Sequence, residues 1–315
     1  MKTAIIIPTF KRPAFLKRVL VSLSNCAFPP DVEILVVENG PLSGAEEVCR
    51  AHSIGGRVRY FHWPIAVKSL ALNHVIRNSD ADFLIFFDDD VKVPEDIVAI
   101  YMSAAERYGK GHLFGGPLVP DAETECPAHL VPYLPRSAAG WSLGEQEVEI
   151  KAADFEFFFG ANWAAFRSDL ANAGLFADAL GVTGEKNSPV GEEGELQQRM
   201  VAAGGKPVYL PGAVIHHFVP RECYTVEWVW HRNFRLGVTD WIMTYSPMKM
   251  RRKIFGVPAW ILKSAVKQKA GVLAARLLGF SPMRRAQIQM RDAYLWGLVY
   301  GARAEHGRTR PAPAA

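Results

Sequence analysis

The chain has 315 residues, of which 49% are hydrophobic and 22% charged, with a formal net charge of +4. This length can bury a large core as one large domain or as two fused lobes. The four cysteines form no CxxC pair, which argues against a disulfide framework or a zinc site and favours reduced thiols in the cytosol. No apolar run is long enough to span a bilayer, and the first apolar run ends at Pro8, so we expect no signal peptide.

The charge is unevenly distributed along the chain. Residues 241–315 carry 14 Lys and Arg against two acids, a balance of +12, whereas residues 1–240 carry 22 basic and 30 acidic residues, a balance of −8. Such an asymmetry predicts a separate C-terminal segment with an anionic partner.

Strands and helices alternate in the first part of the chain. Strands are predicted at residues 2–10, 31–40, 57–62 and 83–87, and helices at 11–25, 43–52 and 67–79. This alternation predicts an α/β fold with a mostly parallel, doubly wound sheet and a nucleotide at the carboxyl edge of the sheet.

The alternation is weaker after Tyr108. Residues 111–150 are rich in Gly and Pro and are predicted to be loops over the sheet. Further strands are predicted at 154–163 and 206–215, with helices at 168–173 and 191–205. Beyond Trp228 the chain is predicted to be helical, with breaks at its prolines, and residues 307–315 are predicted to be a disordered tail.

A cluster of acids follows the most hydrophobic strand. Phe83–Phe87 is apolar without alternation, as in a strand buried on both faces, and it ends at Asp88, Asp89 and Asp90. Three adjacent carboxylates at the end of a buried strand call for a compensating cation. Asp88 and Asp90 would face one point, suited to Mg²⁺ or Mn²⁺, with Asp89 facing away. The alternative is a solvated acidic loop before a helix that begins at Pro94.

Taken in order, these stretches resemble an inverting glycosyltransferase of family 2, with a Rossmann-like GT-A fold, over about residues 3–240. The likeness rests on Ile5–Pro13, on Val37–Gly40, on Lys68–Asn73 and on Asp88–Asp90, which is similar to the DxD motif of the family. The resemblance implies nucleotide-sugar contacts from Pro8, Thr9, Phe10, Arg12, Glu38, Asn39, Lys68, Asn73, Asp88 and Asp89. Glu38 stands where the family usually carries an Asp against the nucleobase.

The second half of the chain carries the other motifs of this resemblance. Phe159–Trp163 is similar to the acceptor-side motif, which implies acceptor contacts from Asn162, Trp163 and Glu192. The second member of the pair Glu192–Glu193 would be the catalytic base. The resemblance makes His217, with His216 as the alternative, a metal ligand beside Asp88 and Asp90. Arg232, in the basic motif Trp230–Gly237, would contact phosphate.

The resemblance implies a metal-dependent enzyme that moves one sugar from a nucleoside-diphosphate sugar to a hydroxyl of a glycan or glycolipid precursor. Residues 1–240 would be the GT-A catalytic domain, with 1–110 as the nucleotide-sugar half and 111–240 as the acceptor half. Residues 241–306 would be a basic helical extension. Gln197–Met200 lacks the Gln-x-x-Arg-Trp motif of processive relatives, so transfer of one sugar per encounter is expected.

Residues 249–269 mix cations with apolar residues. They predict either a helix in the interface of an anionic membrane or a segment that packs on the catalytic lobe with solvated cations. The expected location is therefore cytoplasmic, with a peripheral position at the inner face of the membrane as an option. Nucleic acid is not expected as a partner, because no recognised motif is present.

Two other function classes compete with this interpretation. A sugar-nucleotide pyrophosphorylase would need a glycine-rich loop after the first strand, and Pro8–Pro13 contains no glycine. A non-catalytic nucleotide-sugar or glycan-binding module gains some support from the glutamates at positions 38 and 193.

Overall fold

The computed structural model of the protein describes residues 1–178, 180–248 and 252–309, with side chains described up to residue 306. The chain forms two compact units. The first consists of residues 1–122, 136–184 and 191–219, and the second of residues 123–135, 185–190 and the chain from Pro220 onward. The second unit therefore begins about 20 residues before the predicted boundary at residue 240, and it takes in two earlier segments.

The first unit contains eleven strands and seven helices within the described residues. The strands are β1 (Thr3–Thr9), β2 (Val32–Asn39), β3 (Val58–Trp63), β4 (Phe83–Phe86), β5 (Val91–Lys92), β6 (His112–Gly115), β7 (Leu118–Ala122), β8 (Val148–Glu149), β9 (Trp163–Phe166), β10 (Lys206–Tyr209) and β11 (Ile215–Val219). The helices are α1 (Pro13–Leu23), α2 (Ala45–Ala51), α3 (Lys68–Asn78), α4 (Ile97–Tyr108), α5 (Arg136–Ala139), α6 (Arg167–Asn172) and α7 (Glu192–Ala202).

The main sheet has eight strands in the order β3-β2-β1-β4-β9-β6-β10-β8. Strands β1, β2, β3 and β4 run parallel to one another, and β10 runs parallel to β6. Strand β9 is antiparallel to β4 and β6, and β8 is antiparallel to β10. The predicted mostly parallel α/β fold is thus confirmed. The carboxyl ends of β1, β2 and β4 meet at one edge of this sheet.

Alternate residues of the central strands enter two different cores. Ile5 and Ile7 of β1 belong to the core that includes α1, whereas Ala4 and Ile6 belong to the core that includes α3. The buried stripe of α1 is Leu16, Val19, Leu20 and Leu23, and Pro13 occupies its first turn. Burial on both faces explains why β1 and β4 are apolar without alternation.

A second, three-stranded sheet has the order β5-β11-β7. Strand β5 begins directly after Asp90, and the backbone N–H of Phe218 in β11 donates to the carbonyl oxygen of Asp90 at 2.8 Å. This pairing draws residues 91 and 92 into a strand, so α4 begins at Ile97 and not at Pro94 as the loop-and-helix alternative predicted.

Three sequence predictions in the middle of the chain are wrong. Residues 111–150 are not all loops, because β6 and β7 lie in the two sheets and β8 pairs with β10. Residues 154–162 are not a strand, since the rings of Phe155 and Phe158 turn into the core and Phe158 occupies the space beside Gly115. The predicted strand 206–215 is divided into β10 and β11 by the turn at Pro211 and Gly212.

The second unit contains two 3-10 turns, Val131–Tyr133 and Arg221–Tyr224, and the long helices α8 (Val226–Asp240), α9 (Ala259–Leu277) and α10 (Pro282–Thr309). A π-helical turn, Trp241–Tyr245, follows α8, and a hairpin of β12 (Lys253–Ile254) and β13 (Val257–Pro258) precedes α9. Helices α8 and α10 pack closely at two glycines, because a Cβ on Gly297 would lie 2.0 Å from the carbonyl oxygen of Phe234 and one on Gly237 2.1 Å from that of Tyr294.

The helical C-terminal extension was predicted, but its last helix is longer than expected. Helix α10 continues to Thr309, so residues 307–309 are helical rather than disordered, and residues 310–315 of the predicted tail lie outside the described residues. None of the helices in the described parts of the chain combines the length and the apolar character needed to cross a membrane.

Candidate active site

Asp89 is the fixed member of the acid cluster at the end of β4. Its side chain is fully buried and accepts a hydrogen bond from Thr9 Oγ1 at 2.7 Å, while its Oδ1 lies 2.6 Å from Arg12 Nη2. Burial raises the pKa of Asp89 to about 7, against the opposing field of Arg12. Asp89 thus faces inward, as the alternation of the strand predicted.

Asp90 lies between Arg12 and His217. Arg12 Nη1 donates to Asp90 Oδ2 at 2.9 Å, and His217 Nε2 lies 3.4 Å from Asp90 Oδ1. Because side chains alternate along β11, His216 is exposed on the opposite face and His217 is the histidine beside the acids. The geometry therefore selects His217 from the two candidates.

Asp88 belongs to a second group of charges, built around Lys68. Lys68 Nζ lies at the first turn of α3 and donates to Asp88 Oδ1 at 2.9 Å and to Glu193 Oε1 at 2.6 Å. Glu192 Oε1 is 3.6 Å from the same nitrogen. Three carboxylates from two distant parts of the sequence thus surround one ammonium group that is 16% exposed.

The protonation of this group follows from its excess of acids. Burial raises the pKa of Glu193 to about 8, and the neighbouring Glu192 adds to the effect against the opposing charge of Lys68. Burial alone would lower the pKa of Lys68, but the carboxylates of Asp88, Glu193 and Glu192 raise it well above its usual value. The pKa of Asp88 is lowered, because Lys68 outweighs the cost of burial. One ammonium cannot compensate three carboxylates, which is consistent with a raised pKa for Glu193.

Two glycines allow Glu193 to reach this position. Gly191 precedes α7 with a φ of 93°, a left-handed conformation that other residues adopt with strain, and the acids of the first turn are favoured by the helix dipole. Gly160 passes so close to Glu193 that a Cβ there would lie 2.2 Å from Glu193 Oε1. Gly160 was not predicted as a site residue, although a glycine that interrupts an aromatic run is a signal of close approach.

The acid cluster has the chemistry expected of a divalent-metal site. Asp90 Oδ1 and His217 Nδ1 are buried without a hydrogen-bond partner among the described residues, so a bound cation would satisfy polar groups that the protein leaves unpaired. The charges of Arg12 and His217 also lower the pKa of Asp88, after the larger effects of burial and Lys68. Among the described residues, no group of three or more His, Cys, Asp or Glu side chains is arranged so that it could hold a metal ion.

Four residues that were predicted to contact a substrate are buried and make their contacts within the protein. Glu38 is fully buried, accepting from Ser43 at Oε1 and from Tyr60 at Oε2, which argues against a nucleobase contact. Asn73 is 1% exposed and exchanges two hydrogen bonds with the backbone of Phe176, which argues against a diphosphate contact.

The predicted acceptor contacts Asn162 and Trp163 are likewise buried. Asn162 accepts from the Tyr101 hydroxyl at 2.7 Å and donates to the carbonyl oxygens of Ala213 and Pro117 at 2.7 and 3.0 Å. Trp163 stacks on Phe86 in the core with ring centroids 4.5 Å apart. Both side chains are fully buried, which argues against a direct acceptor contact, and the acceptor assignment stays a prediction.

The remaining predicted residues fall into three groups. Thr9 and Arg12 bind the acid cluster, Thr9 through Asp89 and Arg12 through Asp89 and Asp90. Pro8 and Asn39 are buried at the ends of β1 and β2, and Phe10 is half-buried against Gly40. Arg232 lies on α8 in the second unit, where its phosphate contact stays a prediction.

Comparison with known proteins agrees with this arrangement. The sequence profile of glycosyl transferase family 2 matches residues 4–160. Over 305 residues the chain is 27% identical to the succinoglycan biosynthesis protein ExoM of Rhizobium meliloti (strain 1021), a match that spans 93% of this chain and 90% of the relative.

Solved glycosyltransferases share the fold. A mannosyltransferase from Pyrobaculum calidifontis, PcManGT, in complex with GDP-Man and Mn²⁺ superposes with a TM-score of 0.58 at 17% identity, over 95% of this chain and 86% of that one. S. aureus TarS 1–349 in complex with UDP-GlcNAc superposes with a TM-score of 0.55 at 12% identity, over 95% and 91%. By its sequence motifs, its profile match and its GT-A fold, the chain belongs to glycosyltransferase family 2 and is a glycosyltransferase.

Proposed function

We propose that this enzyme is a metal-dependent, inverting glycosyltransferase that adds one sugar from a nucleoside-diphosphate sugar to a hydroxyl of a glycan or lipid-linked acceptor. The observation that supports this most directly is the double contact of Lys68. One ammonium group links Asp88, in the acid cluster, to Glu193, at the start of α7. A carboxylate for metal binding and a carboxylate for proton abstraction thereby border one site, as transfer by direct displacement requires.

The chemistry assigns a role to each side. The acceptor oxygen forms a bond to the anomeric carbon as the bond from that carbon to the diphosphate oxygen breaks, and the acceptor proton passes to Glu193. A positioned base of this kind contributes about 100- to 10,000-fold to the rate. The negative charge of the diphosphate would compete with Glu193 for the ammonium group of Lys68.

Asp88, Asp90 and His217 are the residues that would hold a divalent cation. Mn²⁺ or Mg²⁺ bound there would neutralise the charge that develops on the departing diphosphate. Asp89 would stay in place under Thr9 and Arg12 and orient its two neighbours.

The related proteins indicate the substrate class. The two solved neighbours hold GDP-Man and UDP-GlcNAc, so a nucleoside-diphosphate sugar is the expected donor, with the base left open because Glu38 is buried. The ExoM relative points to polysaccharide biosynthesis. We place the reaction in the cytoplasm, on an acceptor held at the inner face of the membrane.

A panel of nucleotide sugars, each incubated with Mn²⁺ or with EDTA, tests the proposal. Metal-dependent release of the nucleoside diphosphate from one donor, stimulated by a lipid-linked oligosaccharide, is the expected result. Thermal stabilisation by a donor without any release would identify a non-catalytic binding module instead. Release that is unaffected by EDTA would contradict the metal assignment.

A further inference from the structure

Helix α9 has apolar stripes on two opposite faces. Ile261, Ala265, Val272 and Ala275 form the buried stripe, which packs within the second unit. Val266, Leu273 and Leu277 form the other, with exposed fractions of 58%, 56% and 86%. Val266, Ala270, Leu273 and Leu277 are separated by three or four residues, so they lie on one outer face of the helix. Exposed leucines are ordinary singly, but a continuous stripe indicates a binding surface.

The hairpin that precedes α9 exposes an aromatic ring at its tip. Phe255 is 79% exposed and has a φ of 50°, and Gly256 follows with a φ of 81°. Two-residue turns with both φ values positive favour Asn-Gly or Gly-Gly, so a phenylalanine at the first position is strained and gains nothing from burial in the fold. Gly256 is required, because a Cβ there would lie 2.4 Å from His306 Cβ.

The segment that carries this surface is strongly basic, although Asp292 of α10 lies 3.4 Å from Lys269 of α9. Residues 241–291 contain no Asp or Glu and 11 Lys and Arg. On the exposed side of α9, Lys263 and Lys267 flank the apolar stripe, and Arg252 and Lys253 lie beside the hairpin tip. Lysines next to an exposed apolar stripe can extend their ammonium groups outward while the stripe is buried.

We propose that the tip of the hairpin and the outer face of α9 dock on an anionic lipid bilayer, with Phe255 and the stripe of Val266, Leu273 and Leu277 entering the interface. This deepens the proposed function, because it rests on an acceptor carried by a lipid. It also revises the predicted membrane segment 249–269. Ile261 is buried and excluded, the surface extends to Leu277, and residues 249–251 lie outside the described residues.

A second copy of the chain fits this surface less well than a bilayer does. An isologous dimer through the stripe would bring Lys263 and Lys267 of both copies together, and the segment provides no acid to pair with them. Anionic headgroups supply those counter-charges, and the apolar interior accepts the phenyl ring.

Co-sedimentation with vesicles of phosphatidylcholine alone or mixed with phosphatidylglycerol tests this proposal on the full chain. Binding is expected with the anionic vesicles only, and salt should weaken it. Lys263→Ser with Lys267→Ser should lower the partition coefficient on the order of tenfold, since each cation near the surface contributes several-fold. Lys110→Ser, on an exposed lysine of the first unit, is the matched control and should have no effect.

Phe255→Asn is the most informative variant. Asparagine suits the positive φ of the turn, so the hairpin should be kept while the ring is removed. Vesicle binding should fall in Phe255→Asn, and it should also fall in the double variant Leu273→Gln/Leu277→Gln. Leu42→Gln, at an apolar residue that is 67% exposed in the first unit, is the control. Equal recovery with both vesicle types, unchanged binding of Phe255→Asn, or a concentration-dependent dimer abolished by the leucine changes would overturn the proposal.

The outcome is separable from the proposed function. Donor cleavage in solution is measured on the variants of Phe255, Lys263, Lys267, Leu273 and Leu277. It should stay within about twofold of the wild type, because these residues lie in the second unit and the proposed catalytic residues lie in the first. Vesicle binding by a chain that cleaves no donor would refute the enzymatic proposal alone, and cleavage without vesicle binding would refute the docking surface alone.

Discussion

Lys68 Nζ lies 2.6 Å from Glu193 Oε1, although 125 residues separate the two side chains in sequence. The proposed base is therefore held by a cation before any substrate binds. Its proton affinity depends on how this one ammonium group is shared with Asp88 and Glu192.

The first prediction concerns pH. Because Glu193 acts as a base only when deprotonated and its pKa is raised to about 8, kcat/KM should rise with pH up to that value. Lys68→Met should move this rise of kcat/KM to higher pH, since Lys68 lowers the pKa of Glu193. A pH profile of initial rates measures both, with Lys110→Met as the control. If the rise of kcat/KM occurs at the same pH in Lys68→Met, the pairing of Lys68 with Glu193 is contradicted.

Glu193→Gln keeps the shape of the side chain and removes the base. Transfer should fall at least about 100-fold while the affinity for the donor, measured by calorimetry, stays near that of the wild type. The same change should affect stability. Because the pKa of Glu193 is raised in the folded protein, Glu193 contributes stability that is fully present below its usual pKa of 4.5 and is lost as the pH rises through about 8. Glu193→Gln removes the titrating group, so the variant should not show this loss of stability. A drop of only a few-fold in transfer would direct attention to Glu192.

Asp90→Ala tests the metal site. Removing this carboxylate should abolish the Mn²⁺-dependent part of nucleoside-diphosphate binding, because Asp90 Oδ1 is a buried oxygen without a hydrogen-bond partner in the described chain. Calorimetry with and without EDTA gives the comparison. Asp121→Ala, a paired carboxylate of β7, serves as the control and should bind as the wild type does. Unchanged Mn²⁺-dependent binding by Asp90→Ala would refute the assignment.

Gly160→Ala should displace the base without unfolding the protein. The new methyl group would lie 2.2 Å from Glu193 Oε1 and 2.7 Å from its Cγ, so the carboxyl group of Glu193 would have to shift. We expect a loss in kcat of ten- to a hundredfold, on the order of what a misplaced catalytic group costs. Gly194→Ala is the matched control on α7, because its methyl group would lie at 3.4 Å from Phe157. Equal activities of the two variants would show that Glu193 is not held where we infer.

Asn162→Ala distinguishes a structural residue from an acceptor contact. The change leaves the Tyr101 hydroxyl and two backbone carbonyl groups without a buried partner. It should lower the free energy of unfolding by about 3 kcal/mol. Chemical denaturation measures this loss. A stable variant with a raised KM for the acceptor alone would restore the role predicted from the sequence.

The sequence predicted the elements whose patterns are local. Strand β4 and the acids after it were recognisable because an unbroken apolar run and three carboxylates are adjacent. The family resemblance supplied Glu193 and Lys68, but no pattern indicated that they touch. Strands β6 and β7 escaped prediction because glycines and prolines surround them.

Three of the predicted contact residues are buried for the same reason. Glu38, Asn73 and Asn162 are polar and fall in recognisable motifs, and a sequence does not show that Tyr60, Phe176 or Tyr101 already uses their hydrogen-bonding groups. Burial of a polar side chain depends on partners far along the chain, which only the folded structure identifies.

The bonds of Asn162 also have a consequence for the dynamics of the first unit. Pro117 and Ala213 lie where the chain leaves the main sheet for the second one, after β6 and after β10, and a Cβ on Gly116 would lie 2.1 Å from the carbonyl oxygen of Ala213. One amide group therefore ties both crossings together. In native-state hydrogen exchange, the amides of β7 and β11 should open as a single cooperative unit, so that His217 is released from the acid cluster only when both crossings part.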